Sequence, residues 1–226
     1  MIKNKNHIKS LNNKACWIFD LDNTLYPSSC NLLEQVDKKI TKYIADFLGI
    51  EIDKANKTRK SYYQDYGTTL SGMMLHHGME PIDYLNYIHD IDLKEISPNL
   101  ALDRALSKIS GRKIIYTNGT TKHAERILKK LSIHHHFEEI FDIIKASYIP
   151  KPSPKAFEEI LGRLKIDARS TVMVEDLVRN LIPAANLGMT TVWVRSDQKL
   201  ALNIKNKNKI HHIVDNLTIW LNSIEP

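Results

Sequence analysis

Residues 15–27 read A-C-W-I-F-D-L-D-N-T-L-Y-P, and they constrain the fold more than any other stretch of the chain. An apolar run over 15–19 ends abruptly in Asp20, passes one leucine and delivers Asp22, with Thr24 just behind. A short apolar run of this kind reads as a buried strand. A carboxylate at its carboxyl end stands where open α/β sheets place their ligand sites. Two aspartates two residues apart repel when both are ionised and bare. Such a pair points to a bound cation, a shared proton or divided catalytic roles. The plainer alternative is a strand ending in a polar turn, since Asp and Asn are common turn residues.

The rest of the chain decides between these readings. From Ser97-Pro98 onward, strand and helix patterns alternate. Strands are expected at 113–116 (K-I-I-Y, followed by Thr117-Asn118-Gly119), 140–144, 171–174 (followed by Glu175-Asp176) and 190–194. Between them lie helices at 100–109, around Ala124, Ile127, Leu128 and Leu131, and at 177–187 before Gly188. Ser153 as N-cap and Pro154 at the first helical position open another, with Phe157, Ile160, Leu161 and Leu164 inward. A last helix is expected over 213–224, packing through Leu217, Trp220 and Leu221, after a solvated lysine- and asparagine-rich loop at 199–209. Residues 28–96 carry no strand pattern. Ile40, Ile44, Phe47 and Leu48 before Gly49, then Tyr62, Tyr63 and Tyr66 before Gly67, give two helices. Leu70, Met73, Met74 and Leu75, interrupted at His76-His77-Gly78, and a stretch from Pro81 give two more. The fold class is therefore α/β: a Rossmann-like parallel sheet flanked by helices, with an inserted all-helical cap. The expected domains are a core of 14–27 and 97–226, a cap of 28–96 and a mobile arm of 1–13.

In a parallel sheet all carboxyl ends lie on one edge. That brings Asp20, Asp22, Thr117, Lys151, Glu175 and Asp176 together from distant parts of the sequence. Their chemistry is mutually consistent. A carboxylate can attack a phosphoryl group and form an aspartyl-phosphate. A second carboxyl can give a proton to the leaving alcohol and later take one from water. A hydroxyl, backbone N–H groups and a lysine can hold the phosphoryl oxygens. A further aspartate completes an all-oxygen Mg²⁺ site.

The string D-L-D-N-T-L-Y-P resembles the first motif, D-x-D-x-T, of the haloacid dehalogenase-like (HAD) hydrolases. The resemblance extends to Y-T-N-G as second motif, K-P-S-P-K-A-F as third and V-E-D-L-V-R-N as fourth, over about residues 15–195. It implies Asp20 as nucleophile and metal ligand, and Asp22 as acid/base that also binds the metal through its backbone carbonyl. It further implies Thr117, Asn118, Gly119 and Lys151 as phosphate-binding residues, Asp176 as the remaining metal ligand and Glu175 beside it. Many relatives carry a serine after the acidic pair; this chain has Leu177. The dehalogenases of the family lack an acid at the position of Asp22, because halide leaves without a proton, so Asp22 argues for phosphate esters. The insertion between first and second motifs resembles the helical-cap type. L-Y-P and the string Y-Y-Q-D-Y-G-T-T-L-S-G-M-M-L-H-H-G resemble the pyrimidine 5′-nucleotidase branch. That implies hydrolysis of nucleoside monophosphates such as UMP or CMP, with Tyr66, Gly67, Thr69 and Gly72 as cap residues facing the site. A phosphatase of phosphoglycolate or a sugar phosphate, or a phosphomutase of the same cap type, is the alternative.

Bulk properties bound the remaining classes. The 226 residues carry a net charge of +6, 42% hydrophobic and 26% charged residues, ordinary values for a globular protein. The lysines are scattered, so a stable nucleic-acid partner is not expected, although a basic nucleic-acid or protein-binding module is the reading from a different class. Cys16 and Cys30 give no disulfide framework or metal spacing, and no stretch suits a signal peptide or a membrane span, so a cytoplasmic monomer or homodimer is expected. His134–His136 and His211-His212 are expected at the surface, since adjacent helical residues do not face one point. There is neither a G-x-G-x-x-G nor a P-loop pattern.

Overall fold

The computed structural model describes Leu11, residues 13–195 and residues 204–224. Among the described residues six strands form one sheet: β1 (Cys16–Phe19), β2 (Arg112–Tyr116), β3 (Glu139–Phe141), β4 (Thr171–Glu175), β5 (Thr190–Val194) and β6 (His212–Val214). Their order is β3-β2-β1-β4-β5-β6, and every neighbouring pair is parallel. The chain leaves β1 to one side for β2 and β3, then returns to its other side for β4, β5 and β6. That reversal opens a crevice at the carboxyl end of β1, the place where such sheets bind ligands.

The sheet is buried on both faces, and the side-chain alternation of each strand divides it between two cores. Trp17, Phe19, Ile115, Val172, Val174 and Val192 point to one side. There they meet α5 (Leu100–Lys108), α6 (Thr121–Lys130) and α9 (Leu217–Asn222). Cys16, Ile18, Ile114, Tyr116 and Met173 point to the other, against α7 (Pro154–Leu164) and α8 (Val178–Asn186). The expected parallel α/β architecture is present. No helix is long and apolar enough to cross a membrane among the described residues.

Between β1 and α5 the chain forms four helices, α1 (Leu32–Leu48), α2 (Ile52–Tyr66), α3 (Thr69–His77) and α4 (Pro81–Ile88), with no strand. Gly49 and Gly67 end the first two at positive φ, as glycine permits. Helix α3 starts on a Thr68 side chain that accepts from Ser71 N, and it continues through His76 and His77 before Gly78 stops it. The interruption expected at His76 therefore falls later. Leu11, near the end of the leader expected to be a mobile arm, is buried in the first core; residues 1–10 and 12 lie outside the described set.

Several boundaries correct the sequence expectation. The strand expected over 140–144 stops at Phe141, because the Asp142 carboxylate turns the chain. It accepts from Thr121 N at 2.7 Å and from Lys145 N at 2.8 Å. Ser153 occupies the N-cap of α7 but its hydroxyl makes no capping bond, so that helix start rests on the fixed φ of Pro154. The helix expected over 213–224 is two elements. His212–Val214 pairs with β5 as an edge strand, and α9 begins only at Leu217, where the Asn216 side chain accepts from Ile219 N at 3.0 Å. Residues Ile204–Lys209 of the expected loop form a 3₁₀ turn, and 199–203 lie outside the described residues. His134–His136 also form a 3₁₀ turn, which brings two adjacent rings to one point after all. His135 and His136 place Nε2 3.1 and 2.7 Å from the same Asp103 oxygen, and His136 is largely buried.

Candidate active site

Strand register sets the first shell of the crevice. Phe19 pairs with Ile115 of β2 and with Val174 of β4, so the next residue, Asp20, stands level with Tyr116 and Glu175. Asp20 N donates to Val174 O at 2.9 Å, continuing the ladder one residue beyond the strand. Thr117 follows β2, Asp176 follows β4, and Lys151 arrives on the loop after β3. Asp20, Thr117, Lys151, Glu175 and Asp176 are all buried.

Lys151 is the hub. It is 1% exposed, and Nζ donates to Asp20 Oδ1 at 2.7 Å, to Glu175 Oε2 at 2.7 Å and to the Tyr116 carbonyl at 2.9 Å. Burial disfavours its charge, but the two carboxylates more than offset that and hold its pKa above the usual lysine range. Asn118 fixes the loop that carries it: Lys151 N donates to Asn118 Oδ1 at 2.9 Å, and Asn118 Nδ2 donates to Lys151 O at 3.2 Å. Thr24 Oγ1 donates to the other Asp20 oxygen, Oδ2, at 2.7 Å. Both oxygens of Asp20 are thereby oriented.

One ammonium faces three carboxylates. Ligand oxygens of Asp20, Glu175 and Asp176 lie within 4.8 Å of one another. Burial, then Glu175, raises the Asp20 pKa to about 7 against the opposing pull of Lys151. Burial, then Glu175 and Asp20, raises that of Asp176 to about 10. A buried, all-oxygen cluster short of positive charge is the donor set of a hard divalent cation such as Mg²⁺. The residues present fit that ion.

Asp22 is placed differently. Its Oδ1 accepts from Tyr26 Oη at 2.5 Å and lies 3.2 Å from His123 Nε2. Burial works against its ionised form, but the His123 and Tyr26 contacts prevail and hold its pKa below the usual carboxylate range. Thr117 Oγ1 accepts from Gly119 N at 2.9 Å. A Cβ on Gly119 would come within 3.2 Å of the His123 ring and 3.3 Å of Thr117 Oγ1, so glycine lets these groups close in.

The turn between α2 and α3 lies over this crevice. Gly67, at φ +81°, stands against Pro150, the Lys151 carbonyl and Pro152, and its own carbonyl lies 3.5 Å from Arg179 Nη2. The Arg179 guanidinium sits 4.2 Å over the Tyr63 ring. Burial raises the Tyr63 pKa, and the Arg179 guanidinium opposes this. Of the four residues expected to face the site from this segment, the structure brings Gly67 to the crevice. Tyr66 pairs with His76, Thr69 donates to Arg59 O and Gly72 packs on Tyr62, all within the helical segment. Thr24, Tyr26 and Arg179 stood inside the quoted motif strings without a role of their own, and Tyr63 stood in the aromatic helix as a residue that could stack on a base. His123 carries no local signal, since a lone helical side chain acquires its partner only in the folded chain.

The sequence pattern of the haloacid dehalogenase-like hydrolases matches residues 15–188. Phosphate metabolism protein 8 of Saccharomyces cerevisiae is 26% identical over 92% of this chain and 72% of its own length. A glyceraldehyde 3-phosphate phosphatase of Methanopyrus kandleri is 26% identical over 85% of this chain and 89% of its own. Among solved structures, an HAD phosphatase from Thermococcus onnurineus has a TM-score of 0.60 at 19% identity, over 92% of this chain and 96% of that one. A putative HAD-hydrolase of Bacillus subtilis, YfnB, solved bound to magnesium, has a TM-score of 0.59 at 14% identity, over 94% of this chain and 99% of that one. These structures share the fold.

Proposed function

This chain belongs to the haloacid dehalogenase-like hydrolases, and from that premise we propose a Mg²⁺-dependent phosphatase of small phosphomonoesters that acts through an aspartyl-phosphate on Asp20. The observation that carries the reading is the buried Asp20–Lys151–Glu175–Asp176 cluster at the crevice, with a separately held carboxylate, Asp22, two residues away. Two carboxylates in two environments are suited to two roles.

Asp20, oriented by Lys151 and Thr24, attacks the phosphorus while the ester P–O bond breaks. Asp22 gives a proton to the departing oxygen, then takes one from the water that hydrolyses the aspartyl-phosphate. Thr117, Asn118 and Gly119 would hold the phosphoryl oxygens once the Gly119 N–H turns from Thr117 Oγ1, to which it donates in the free chain, and Lys151 would add positive charge beside them. Asp20 and Asp176, with the Asp22 carbonyl and Glu175 nearby, would hold the Mg²⁺. When bound, that ion neutralises charge on the phosphoryl group. Tyr63, Gly67 and Arg179 roof the crevice and would limit water there.

For substrate class we infer nucleoside 5′-monophosphates, pyrimidine ones first, from the likeness of residues 62–78 and of L-Y-P to that branch of the family. A triose phosphate is the second reading, favoured by the name of the Methanopyrus kandleri relative. Phosphate release from UMP, CMP, AMP, glyceraldehyde 3-phosphate, phosphoglycolate and glucose phosphates, with Mg²⁺ or EDTA, tests both. Mg²⁺-dependent turnover led by UMP or CMP is expected. Turnover led by glyceraldehyde 3-phosphate would keep the chemistry and replace the substrate, and a folded protein inert on the whole panel would overturn the reading.

A further inference from the structure

Asp22 is held from one side. Tyr26 Oη donates to Oδ1 at 2.5 Å and His123 Nε2 lies 3.2 Å from that same oxygen, so neither contact occupies Oδ2. His123 is 2% exposed and sits in the first turn of α6, whose N-cap, Thr120, accepts from His123 N at 3.2 Å. Its Nδ1 is buried without a hydrogen-bond partner. With Nδ1 unpartnered and Nε2 beside a carboxylate oxygen, Nε2 is the nitrogen that donates. The ring is fixed from behind by His89, stacked at a centroid distance of 4.4 Å and an interplanar angle of 21°.

His89 is itself anchored. Thr120 Oγ1 lies 3.3 Å from its Nδ1, and Arg126 donates from Nη1 to His89 O and from Nη2 to Ile91 O, both at 2.8 Å. The glycine at 119 leaves room for the His123 ring, which a Cβ there would meet at 3.2 Å. A buried histidine stacked on a second histidine, with one nitrogen unpartnered, is a costly way to fill space. Its one bonded nitrogen is directed at the carboxylate.

We propose that His123, with Tyr26, is a positioning residue for Asp22, clamping Oδ1 so that proton exchange with the leaving group runs through Oδ2. This rests on the reading of Asp22 as acid and base given above. In the first step the bond from Asp20 to phosphorus forms, the ester bond breaks, and a proton that the phosphate monoanion has handed to Asp22 Oδ2 passes on to the departing alkoxide to give the alcohol, so Asp22 need hold no proton beforehand. An Asp22 free to rotate would present that proton in many directions, and general acid catalysis depends on its aim.

The test uses two leaving groups. Alkoxide needs the proton, whereas p-nitrophenolate leaves without it. For the full chain with Mg²⁺, kcat/KM is measured on p-nitrophenyl phosphate and on the best alkyl phosphate of the panel, for His123→Leu, His123→Gln and Tyr26→Phe. His123→Leu is expected to lose about 10- to 100-fold on the alkyl ester and less than about threefold on p-nitrophenyl phosphate, a share of what a general acid contributes. His123→Gln, whose amide N–H can reach Oδ1, is expected to recover most of that loss, and Tyr26→Phe to repeat the selective pattern. Equal losses on both esters, or none on either, would overturn the proposal while wild-type turnover leaves the phosphatase reading intact. A wild-type chain inert on both esters would overturn the two together. Thermal melting identifies a His123→Leu chain that has not folded, in which case the Gln and Phe variants decide on the same criterion.

Discussion

Lys151 directs its ammonium to Asp20, Glu175 and the Tyr116 carbonyl, and its side chain and that of Glu175 are each 1% exposed. Removing such a buried cation leaves carboxylates with no countercharge, which costs about 3–5 kcal/mol when one partner of a buried pair is lost. Lys151→Met is therefore expected to lose about that much in urea denaturation without Mg²⁺, and to lose phosphatase activity. Asp20→Asn should separate the two effects. The amide oxygen still accepts from Lys151, and one of three crowded carboxylates disappears, so stability should change by less than about 1 kcal/mol. Turnover should nevertheless fall by about 10⁴-fold or more, because the nucleophile is gone. An Asp20→Asn chain that retains turnover would remove Asp20 from the covalent role.

At the scale of elements, Gly72 sets how closely α3 approaches α2. A Cβ there would stand 2.4 Å from Cγ of Tyr62, whose ring is stacked on His76 and whose hydroxyl lies 2.9 Å from His77 Nε2. Tyr62 cannot swing aside without giving up these contacts, so Gly72→Ala is expected to cost about 1–3 kcal/mol as an overpacking substitution. The check is a lower denaturation midpoint with an unchanged slope. The same pair shows where sequence reading stops. The helices around Tyr62 and Gly72 were legible from apolar spacing and from Gly49, Gly67 and Gly78 as stops, but which side each residue turns was not. Strand ends were legible because an apolar run breaking into Asp20, Thr117 or Glu175 is a local event. β6 was not, since three residues of an edge strand carry too little pattern to stand apart from the helix after them. His123 was invisible because its partner, Asp22, lies about a hundred residues away in the chain and meets it only through the sheet topology; Arg179 stood inside V-R-N, but its contact with Tyr63 could not be read there.

The whole molecule carries the consequence of building its crevice from buried acids. Asp20 and Asp176 have folded-state pKa values raised from 3.8 to about 7 and about 10, by burial first and then by neighbouring carboxylates. An unfolded chain has released both protons once the pH passes about 4–5, whereas the folded chain still holds them. The folded state then binds more protons than the unfolded one, and stability falls as pH rises. That decline runs from about pH 4 through about pH 7 for Asp20 and on towards about pH 10 for Asp176. A divalent cation bound by these carboxylates competes with the protons and binds the folded chain alone, so it stabilises by mass action. The metal-free protein is therefore expected to lose melting temperature steadily between about pH 6 and pH 9. Saturating Mg²⁺ should restore it, with an increment larger at the alkaline end, where fewer protons stand in its way. Asp176→Asn should flatten the pH dependence in EDTA and abolish most of the Mg²⁺ increment together, since one carboxylate is responsible for both. Melting curves in EDTA and in Mg²⁺ across that range are the check. A Mg²⁺ increment independent of pH, or one that survives in Asp176→Asn, would show that the cation is held elsewhere and that the carboxyl ends of β1 and β4 are not its site.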